Sequence, residues 1–274
     1  MTLTTKRIGF IGGGAMAEAL AAGLLAGGVA AERVGIAEPR PERRRQLAEQ
    51  LAVATFDDNA QAIRDRDLVV LAVKPDVVVP ALEQLRTSAL DLTRPLWISI
   101  AAGIRLTTIE SCLPAGCRVV RAMPNTPALV RAGATALCGN PNTDASDLAD
   151  ARSLFDSVGV SWEAEREALL DAVTGLSGSG PAYAFLFLEA LIDAGEGVGL
   201  PREAAEKLAL QTVFGAAKLA LESDKSPAQL REQVSSPGGT TLAGLAQLED
   251  GRMRETIARA VAAATRRSAE LGET

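Results

Sequence analysis

The sequence predicts an α/β domain built on a parallel sheet, followed by an all-α domain. Up to about residue 163, short apolar segments rich in β-branched residues alternate with segments of helical periodicity. Beyond that residue the strand pattern stops, and glycine and proline separate a series of helical segments. A length of 274 residues fits two domains. We therefore expect domains at residues 1–163 and 164–274.

Six segments of the first domain are predicted to be strands, and at least two of the segments between them helices. The helical segments, 15–26 and 41–51, are alanine-rich or charged with the spacing of a helix face. Because the strands are apolar on both faces, we expect a parallel sheet that helices cover on both sides. The predicted strands are residues 7–11, 33–37, 67–73, 96–101, 118–122 and 134–138.

The second domain is predicted to be entirely helical. Pro201 and Pro227 stand where a helix can begin, and the segment 235–239, Ser-Ser-Pro-Gly-Gly, is typical of a sharp loop. The segment 183–193 is apolar around most of a helix circumference. Such a helix is buried in its own domain or against a partner. We favour an interface between identical subunits over a monomeric core.

The composition excludes several kinds of site. Because the sequence has no histidine, it can form no Ser-His-Asp triad, no imidazole base and no histidine-ligated metal centre, and we expect no metal site. Cys112, Cys117 and Cys138 lack the C-x-x-C spacing and are expected to be buried, reduced thiols. A net charge of −6 argues against a nucleic-acid or anionic-membrane partner.

The N-terminal segment imitates a secretory signal, because Lys6 and Arg7 precede an apolar stretch that reaches Ala31. Glu18 interrupts that stretch, and the glycines at 12–14 would weaken a continuous helix. We therefore expect a cytoplasmic protein without a membrane segment, with secretion as the less favoured alternative.

A glycine-rich motif follows the first predicted strand. Residues 12–17 read Gly-Gly-Gly-Ala-Met-Ala, the G-x-G-x-x-A pattern at the start of a predicted helix. Gly12 would permit a tight turn, Gly14 the approach of a pyrophosphate, and Ala17 close packing of the helix on the sheet. Free amides at the helix N-terminus would face the phosphates. This order predicts a Rossmann-type dinucleotide site, with a glycine turn that binds no ligand as the alternative.

The end of the second predicted strand carries conflicting signals about the dinucleotide. Glu38 is placed to accept a hydrogen bond from a ribose 2′-hydroxyl, as in an NAD site, and would repel a 2′-phosphate. Arg40, Arg43, Arg44 and Arg45 follow, and guanidinium groups suit a phosphate. A solvated helix face is at least as good an interpretation of Arg44 and Arg45. The choice between NADH and NADPH stays open.

Five further segments narrow the interpretation. Three of them close predicted strands, where open α/β sheets bind ligands: 71–75 (Leu-Ala-Val-Lys-Pro), 99–103 (Ser-Ile-Ala-Ala-Gly) and 121–127 (Arg-Ala-Met-Pro-Asn-Thr-Pro). For Pro75 and Pro127 we favour a simple role in setting the turn. The other two lie in the helical part: 176–183 (Leu-Ser-Gly-Ser-Gly-Pro-Ala-Tyr) and 235–241 (Ser-Ser-Pro-Gly-Gly-Thr-Thr). Through these segments, in order and spacing, residues 8 to about 271 resemble the pyrroline-5-carboxylate reductase family.

The resemblance implies a reaction, a cofactor and an assembly. The reaction is the reduction of the C=N bond of L-1-pyrroline-5-carboxylate to L-proline, the last step of proline biosynthesis. The cofactor is NADP(H), with NAD(H) as an alternative. The N-terminal domain would be of the Rossmann type. The helical domain would form a homodimer by interlocking helices, and five dimers often assemble into a decamer.

The resemblance also implies site residues. The substrate carboxylate would be held by Ser236, Gly239, Thr240 and Thr241, with Thr241 also at the ring nitrogen as the catalytic residue. Glu38 departs from the small or polar residue expected of the family, which puts the usual NADPH preference in doubt. The dinucleotide would lie against Gly12, Gly14, Ala15 and Met16 at the pyrophosphate, Asn59 on the adenosine side, and Ala72, Lys74, Ala101 and Asn125 along the nicotinamide half. Because they also follow predicted strands, we add Glu38, Arg40 and Pro75 as candidate dinucleotide contacts.

The loop at 235–241 favours a carboxylate site through its own chemistry. Consecutive glycines expose backbone amides, and a helix beginning at Thr240 would add the positive end of its dipole. A helix start capped by a threonine side chain is the alternative, and both can hold together. We expect the Thr241 hydroxyl to orient or deliver the proton at the imine nitrogen, with Lys74 as the competing candidate for electrostatic help.

Two other functions fit the sequence less well. A β-hydroxyacid dehydrogenase needs a base, typically a lysine in the long helix after the sheet, and residues 176–198 contain no lysine. A nucleotide-binding regulator could keep the fold and lose turnover. The intact loop at 235–241 argues against such a loss.

Overall fold

The structure is a computed structural model that describes residues 2–272, and the chain divides there into two compact units. The first unit consists of residues 2–179 together with 262–272. The second consists of residues 180–261.

The first unit is built on one sheet, which has eight strands in the range 2–272. They are β1 (Ile8–Ile11), β2 (Val34–Ala37), β3 (Ala54–Phe56), β4 (Leu68–Leu71), β5 (Leu96–Ser99), β6 (Arg118–Met123), β7 (Gly133–Gly139) and β8 (Gly159–Glu163). The strands lie side by side in the order β3-β2-β1-β4-β5-β6-β7-β8. Every neighbouring pair is parallel except β6 and β7, which are antiparallel.

The sheet confirms the six predicted strands and adds two, β3 and β8, that we did not predict. β3 has only three residues, and β8 alternates between half-buried and exposed positions, so neither has the apolar run of a central strand. Both lie at edges of the sheet. The antiparallel β7 departs from the predicted parallel sheet, because a short 3-10 turn at Thr126–Val130 joins it to β6 in place of a crossover helix.

Helices cover both faces of the sheet, as predicted. Alternate residues of β1 point to opposite faces: Phe10 lies in the core that contains Leu20 and Phe155, and Ile11 lies in the core that contains Leu82 and Trp97. The first two helices match their predicted bounds. The helices of this unit are α1 (Ala15–Ala26), α2 (Pro41–Leu51), α3 (Asn59–Ile63), α4 (Pro75–Arg86), α5 (Leu106–Cys112), α6 (Ala145–Asp156) and α7 (Leu169–Val173), followed by a π-helical turn at Thr174–Gly178.

The second unit is helical, as predicted. Pro201 immediately precedes α9, Pro227 is the first residue of α10, and the predicted loop at 235–239 separates α10 from α11. The helices are α8 (Gly180–Gly197), α9 (Arg202–Glu222), α10 (Pro227–Gln233), α11 (Thr240–Asp250) and α12 (Met253–Leu271). Helix α12 begins in this unit, and its residues from Ala262 onward belong to the first.

Helix α8 is apolar and yet exposed. None of its residues is buried in the single chain, and Phe185, Leu186 and Phe187 are 59%, 66% and 37% exposed. The alternative of a monomeric core around this helix is therefore wrong. An exposed apolar surface of this kind is typical of a protein–protein interface.

The three cysteines are buried free thiols, as predicted. Burial raises the pKa of the Cys117 and Cys138 thiols, and nearby carboxylates, Asp91 for Cys117 and Glu167 for Cys138, raise it further. These two side chains therefore pack as small, neutral apolar groups.

The N-terminal segment that imitates a signal sequence forms β1 and α1 of the sheet domain, with Ile8 and Leu20 fully buried. Within residues 2–272, no helix combines the length and the apolar character needed to cross a membrane. The same range contains no group of three or more Cys, Asp or Glu side chains placed to hold a metal ion.

Candidate active site

The glycine-rich turn links β1 to α1 at the carboxyl edge of the sheet. Gly12 has a φ of +99°, and a Cβ there would lie 2.6 Å from the Ala72 carbonyl oxygen, so the turn requires glycine. Gly14 is the N-cap of α1, and the space where its Cβ would lie is open. Ala17 is fully buried, which brings α1 close to the sheet. The turn has the geometry that the motif predicts.

The first turn of α1 offers free amides beside this opening. No side chain caps the helix, so the N–H groups of Ala15 and Met16 have no helical carbonyl partner. The positive end of the helix dipole coincides with these donors. Amides and dipole together suit a pyrophosphate.

The predicted dinucleotide contacts all follow the carboxyl ends of six adjacent parallel strands. β1 is the switch point of the sheet, because β2 and β4 continue from it in opposite directions, and open α/β sheets bind ligands at that point. The structure brings the predicted contacts to one edge: Gly12, Gly14, Ala15 and Met16 after β1, Glu38 and Arg40 after β2, Asn59 after β3, Ala72, Lys74 and Pro75 after β4, Ala101 after β5, and Asn125 after β6.

Glu38 is buried beside the glycine turn and held by four hydrogen bonds. Its carboxylate accepts from the N–H groups of Gly13 (3.3 Å) and Arg40 (3.1 Å), and from Nε (2.8 Å) and Nη2 (3.3 Å) of Arg40. Burial alone would raise the pKa of Glu38, but these hydrogen bonds and the Arg40 charge outweigh it and place the pKa below its ordinary value. The carboxylate is therefore ionised at neutral pH.

Arg43 and Arg44 support the backbone around the turn. Arg43 donates from Nε to the Gly13 carbonyl (2.8 Å) and pairs with Glu18 (2.6 Å). Arg44 donates to the Glu38 carbonyl (2.8 Å), and its side chain is only 21% exposed. The interpretation of Arg44 as part of a solvated helix face is therefore wrong.

Arg40 and Arg45 point toward solvent. The Arg45 side chain is 72% exposed and only 3.9 Å from Glu42, which fits a solvated helix face. The Arg40 side chain is 67% exposed although it pairs with Glu38. Of the four arginines, Arg40 is the one that combines a position at the end of β2 with a largely exposed side chain.

Asn59 and Lys74 lie on either side of the turn. Asn59 is the first residue of α3, and its Nδ2 donates to the Gln84 side chain (3.2 Å). Lys74 is the N-cap residue of α4 and Pro75 is the first helical residue, so Pro75 begins this helix. Lys74 is exposed, and its side chain makes no hydrogen bond or ion pair within residues 2–272. Its charge is therefore available to a ligand.

Asn125 is held at both ends of its side-chain amide. Nδ2 donates to the Ser177 carbonyl (3.1 Å) and Oγ (3.3 Å), and Oδ1 accepts from the Ala134 N–H (2.9 Å). These contacts tie the end of β6 to β7 and to the π-helical turn. Sequence reasoning missed Ser177 as a partner, because the contact spans 52 residues. The sequence feature that could have indicated this contact is the glycine- and serine-rich segment 176–183, which contains Ser177.

The predicted carboxylate loop lies in the second unit, before α11. Gly239 is the N-cap of α11, and no side chain caps the helix, so the alternative in which a threonine side chain caps it is wrong. Thr240 is the first helical residue, as expected. The Gly239 N–H donates to the Ser236 carbonyl (2.9 Å), and Gly238 has a φ of +68°. The two glycines thus close a tight turn just before the helix.

The side chains of this loop offer further donors. Within residues 2–272 the hydroxyl groups of Ser236, Thr240 and Thr241 have no hydrogen-bond partner. Thr241 is half-buried, and the other two are exposed. With the first-turn amides of an eleven-residue helix, these hydroxyls can hold a carboxylate without an arginine.

Two family models match the chain. Residues 7–103 match the model described as NADP oxidoreductase, coenzyme F420-dependent. Residues 167–271 match the model of the pyrroline-5-carboxylate reductase dimerisation domain. The first model covers the glycine turn and Glu38, and the second covers the loop at 235–241.

Relatives of known name match nearly the full length of the chain. Pyrroline-5-carboxylate reductase from Synechocystis is 47% identical over 97% of this chain and 98% of its own, and that from Pseudomonas aeruginosa is 43% identical over 99% and 98%. A solved pyrroline-5-carboxylate reductase from Coxiella burnetii superposes with a TM-score of 0.94 at 42% identity, over 98% of this chain and 100% of its own. A solved pyrroline carboxylate reductase from Plasmodium falciparum, with NADP bound, superposes with a TM-score of 0.86 at 34% identity, over 98% of this chain and 99% of its own. The chain belongs to the pyrroline-5-carboxylate reductase family.

Proposed function

We propose that this chain reduces the C=N bond of L-1-pyrroline-5-carboxylate to give L-proline, with a nicotinamide dinucleotide as the reductant. The observation that carries the proposal is the near-full-length likeness to curated reductases. The glycine turn supports it as a pyrophosphate site, and the donors around Thr240 and Thr241 support it as a carboxylate site. The reaction would be the last step of proline biosynthesis.

The residues around the glycine turn fit a dinucleotide, NADP(H) with NAD(H) as an alternative. Gly12 and Gly14 leave the backbone accessible, and the amides of Ala15 and Met16 would hold the pyrophosphate. When bound, the dinucleotide supplies the hydride. Lys74 would add positive charge on the nicotinamide side, and the Asn125 amide would help to shape that side.

The substrate would be oriented by the loop before α11. The free first-turn amides of Thr240 and Thr241 and the hydroxyl of Ser236 would hold the carboxylate beside Gly239, and the Thr241 hydroxyl would contact the ring nitrogen. A cyclic imine nitrogen can take a proton from solvent near neutral pH, so the chain needs no histidine to make the carbon electrophilic. Thr241 would hold that proton in place. One positioned donor of this kind raises kcat about 10²-fold.

A coupled assay tests the reaction. Purified protein, NADH or NADPH and pyrroline-5-carboxylate should give a fall in reduced-dinucleotide absorbance together with an equal amount of proline, measured by chromatography. Dinucleotide binding without absorbance decay would contradict the reductase proposal and favour the regulator alternative.

We further propose that the chain works as a homodimer, assembled as a decamer of five dimers. The family model named for dimerisation spans residues 167–271. In the second unit, the exposed apolar side of α8 and the start of α12 line a groove of about 480 Å³, which includes Leu186, Phe187 and Ile257. A second copy of this unit would cover these side chains. The molar mass in solution, from light scattering, tests both levels of assembly.

We also propose a cytoplasmic location without a nucleic-acid or membrane partner. The net charge of −6 supports the absence of nucleic-acid and anionic-membrane partners, because anionic surfaces repel an acidic protein. Fractionation of cells that express the protein tests the location.

A further inference from the structure

A polar cleft lies at the amino edge of the sheet, opposite the glycine turn. Arg7 and Arg33 immediately precede β1 and β2, and Arg66 lies two residues before β4. The cleft has a volume of about 490 Å³, within the range of small-molecule sites. We call it the arginine cleft. Its lining includes four arginines and two carboxylates: Arg7, Arg33, Arg64, Arg66, Glu32 and Asp65.

Arg66 lines this cleft and is only 9% exposed. No carboxylate of residues 2–272 lies within ion-pair distance of its guanidinium group. Nε donates to the Ala62 carbonyl (3.0 Å) and Nη1 to the Arg33 carbonyl (3.1 Å). Nη2 has no partner within residues 2–272. Because every fully buried side-chain nitrogen in that range has a partner, Nη2 is not fully enclosed by protein, and Arg66 is part of the cleft lining.

Two glycines make room for this guanidinium. Gly9 and Gly35 are register partners in β1 and β2. A Cβ on Gly9 would lie 3.1 Å from Arg66 Cγ, and a Cβ on Gly35 would overlap Arg66 Nη2. The sheet therefore accommodates a buried positive charge at a place where an apolar side chain would otherwise pack.

The positive charge of the cleft lining is only partly compensated, by Glu32 and Asp65. The Arg7 and Arg64 side chains make no hydrogen bond or ion pair within residues 2–272, and Asp65 is 3.5 Å from Arg94, which lies outside the cleft. Burial lowers the pKa of Arg66, and the Arg7 charge lowers it further, although Asp65 and Asp67 oppose this. A protein of net charge −6 thus keeps two positive charges in excess in one cleft.

We propose that the arginine cleft binds the phosphate group of a small molecule. Guanidinium groups bind phosphate oxygens through paired, charge-assisted hydrogen bonds, and an excess of two positive charges matches a phosphate dianion. Arg66 Nη2 supplies a preorganised, partly desolvated donor, and Arg7 and Arg64 close on the anion from the rim. The discrete cleft, rather than an extended basic stripe, selects a small ligand over a nucleic acid. This site does not depend on the proposed reductase activity.

Calorimetric titration at constant ionic strength tests the site, with inorganic phosphate, pyrophosphate and AMP as probes and sodium chloride as the reference salt. Saturable binding of at least one phosphate probe is expected. AMP binding more tightly than inorganic phosphate would identify an organic phosphate as the source, and the reverse order would identify free phosphate. Either order, together with a loss of affinity in the arginine double variant, supports the phosphate site in the cleft.

The double variant Arg7→Gln/Arg64→Gln removes the two exposed, unpartnered guanidinium groups and should weaken binding at least tenfold, with the thermal unfolding midpoint unchanged in phosphate-free buffer. Arg86→Gln is the matched control, because Arg86 is an exposed arginine at the end of α4 outside the cleft, and it should bind as wild type does. Unchanged affinity in the double variant would place the phosphate elsewhere, for example at the glycine turn, and overturn the proposal. Absence of saturable binding by all three probes would also overturn it.

Discussion

At the scale of single residues, Thr241 carries the proposed contact with the ring nitrogen. It is the second residue of α11, and its hydroxyl is half-buried and unpartnered within residues 2–272. Thr241→Ala should lower kcat about 10²-fold, because it removes one positioned donor, and should leave the dinucleotide dissociation constant near its wild-type value. Steady-state kinetics and fluorescence titration measure the two quantities.

Thr107→Ala is the matched control for this variant. Thr107 is also the second residue of a helix, α5, and is exposed without a described partner. It should leave both quantities unchanged. Wild-type turnover in Thr241→Ala would sink the assignment and leave Lys74 as the candidate.

Glu38 should govern the choice of dinucleotide. Its ionised carboxylate opposes a 2′-phosphate and also engages Arg40, whose side chain is largely exposed. Glu38→Ser removes the repulsion and releases Arg40, so the ratio of kcat/KM for NADPH to that for NADH should rise about tenfold or more. Parallel kinetics with the two dinucleotides give this ratio.

Glu42→Ser controls for the loss of one negative charge near α2, because Glu42 is an exposed carboxylate in the first turn of that helix. The ratio of kcat/KM for NADPH to that for NADH in this variant should equal that of wild type. Glu38→Gln removes the charge while keeping the side-chain length, and should shift the ratio in the same direction. An unchanged ratio in both Glu38 variants would show that specificity resides elsewhere.

Residue-level prediction worked where chemistry is local and failed where contacts are distant in sequence. Gly12 and Thr240 occupy the turn and helix positions that their motifs predict. The hydrogen bond from Arg44 to the Glu38 carbonyl could not be predicted from the sequence, because an arginine in a charged helix is more often solvated. The Asn125 contact with Ser177 depends on how β6 approaches the π-helical turn.

At the scale of elements, the junction of β1 and α1 depends on Gly12. A Cβ there would collide with the Ala72 carbonyl and with the Val73 side chain, at 2.6 and 2.8 Å, so β1 and β4 would have to separate. Gly12→Ala should weaken dinucleotide binding at least tenfold and destabilise the fold by about 1–3 kcal/mol. Calorimetric titration and urea unfolding measure these effects.

Gly116→Ala separates the collision from the backbone strain. Gly116 also has a positive φ, +86°, but nothing lies near the position of its Cβ. This variant should lose some stability and keep wild-type dinucleotide affinity. Equal affinity in Gly12→Ala and wild type would contradict the role given to the turn.

The strands that the sequence predicts best are those that are buried on both faces. The six predicted strands are the six interior strands of the sheet. Five of them, β1, β2, β4, β5 and β6, are buried over most of their length and therefore largely apolar. The edge strands β3 and β8 mix buried and exposed positions and have no such run. Nothing in the apolar pattern of β7 distinguishes an antiparallel from a parallel partner.

At the scale of the whole molecule, the exposed face of α8 predicts self-association. Leu186 is 66% exposed and lines the groove between α8 and α12. Leu186→Glu should weaken dimerisation at least tenfold, because a buried, unpaired carboxylate opposes association. Sedimentation velocity over a range of protein concentrations measures the dissociation constant.

Leu221→Glu is the corresponding control. Leu221 is 87% exposed at the end of α9 and lies outside the groove. It should sediment as wild type does. A dimer of unaltered strength in Leu186→Glu would exclude this face of α8 as the interface. The sequence alone indicated an apolar helix in a small domain, but only the folded chain shows which of its side chains remain uncovered.

The missing histidine and the buried thiols have a consequence for how the protein responds to acidity. Histidine ordinarily titrates between about pH 5 and 8, and burial moves Cys117 and Cys138 away from that interval. The ionisation that controls turnover near neutrality would then be that of the imine itself. Wild type and Thr241→Ala should share one midpoint in their profiles of kcat/KM against pH, because kcat/KM reports the ionisation of the free substrate.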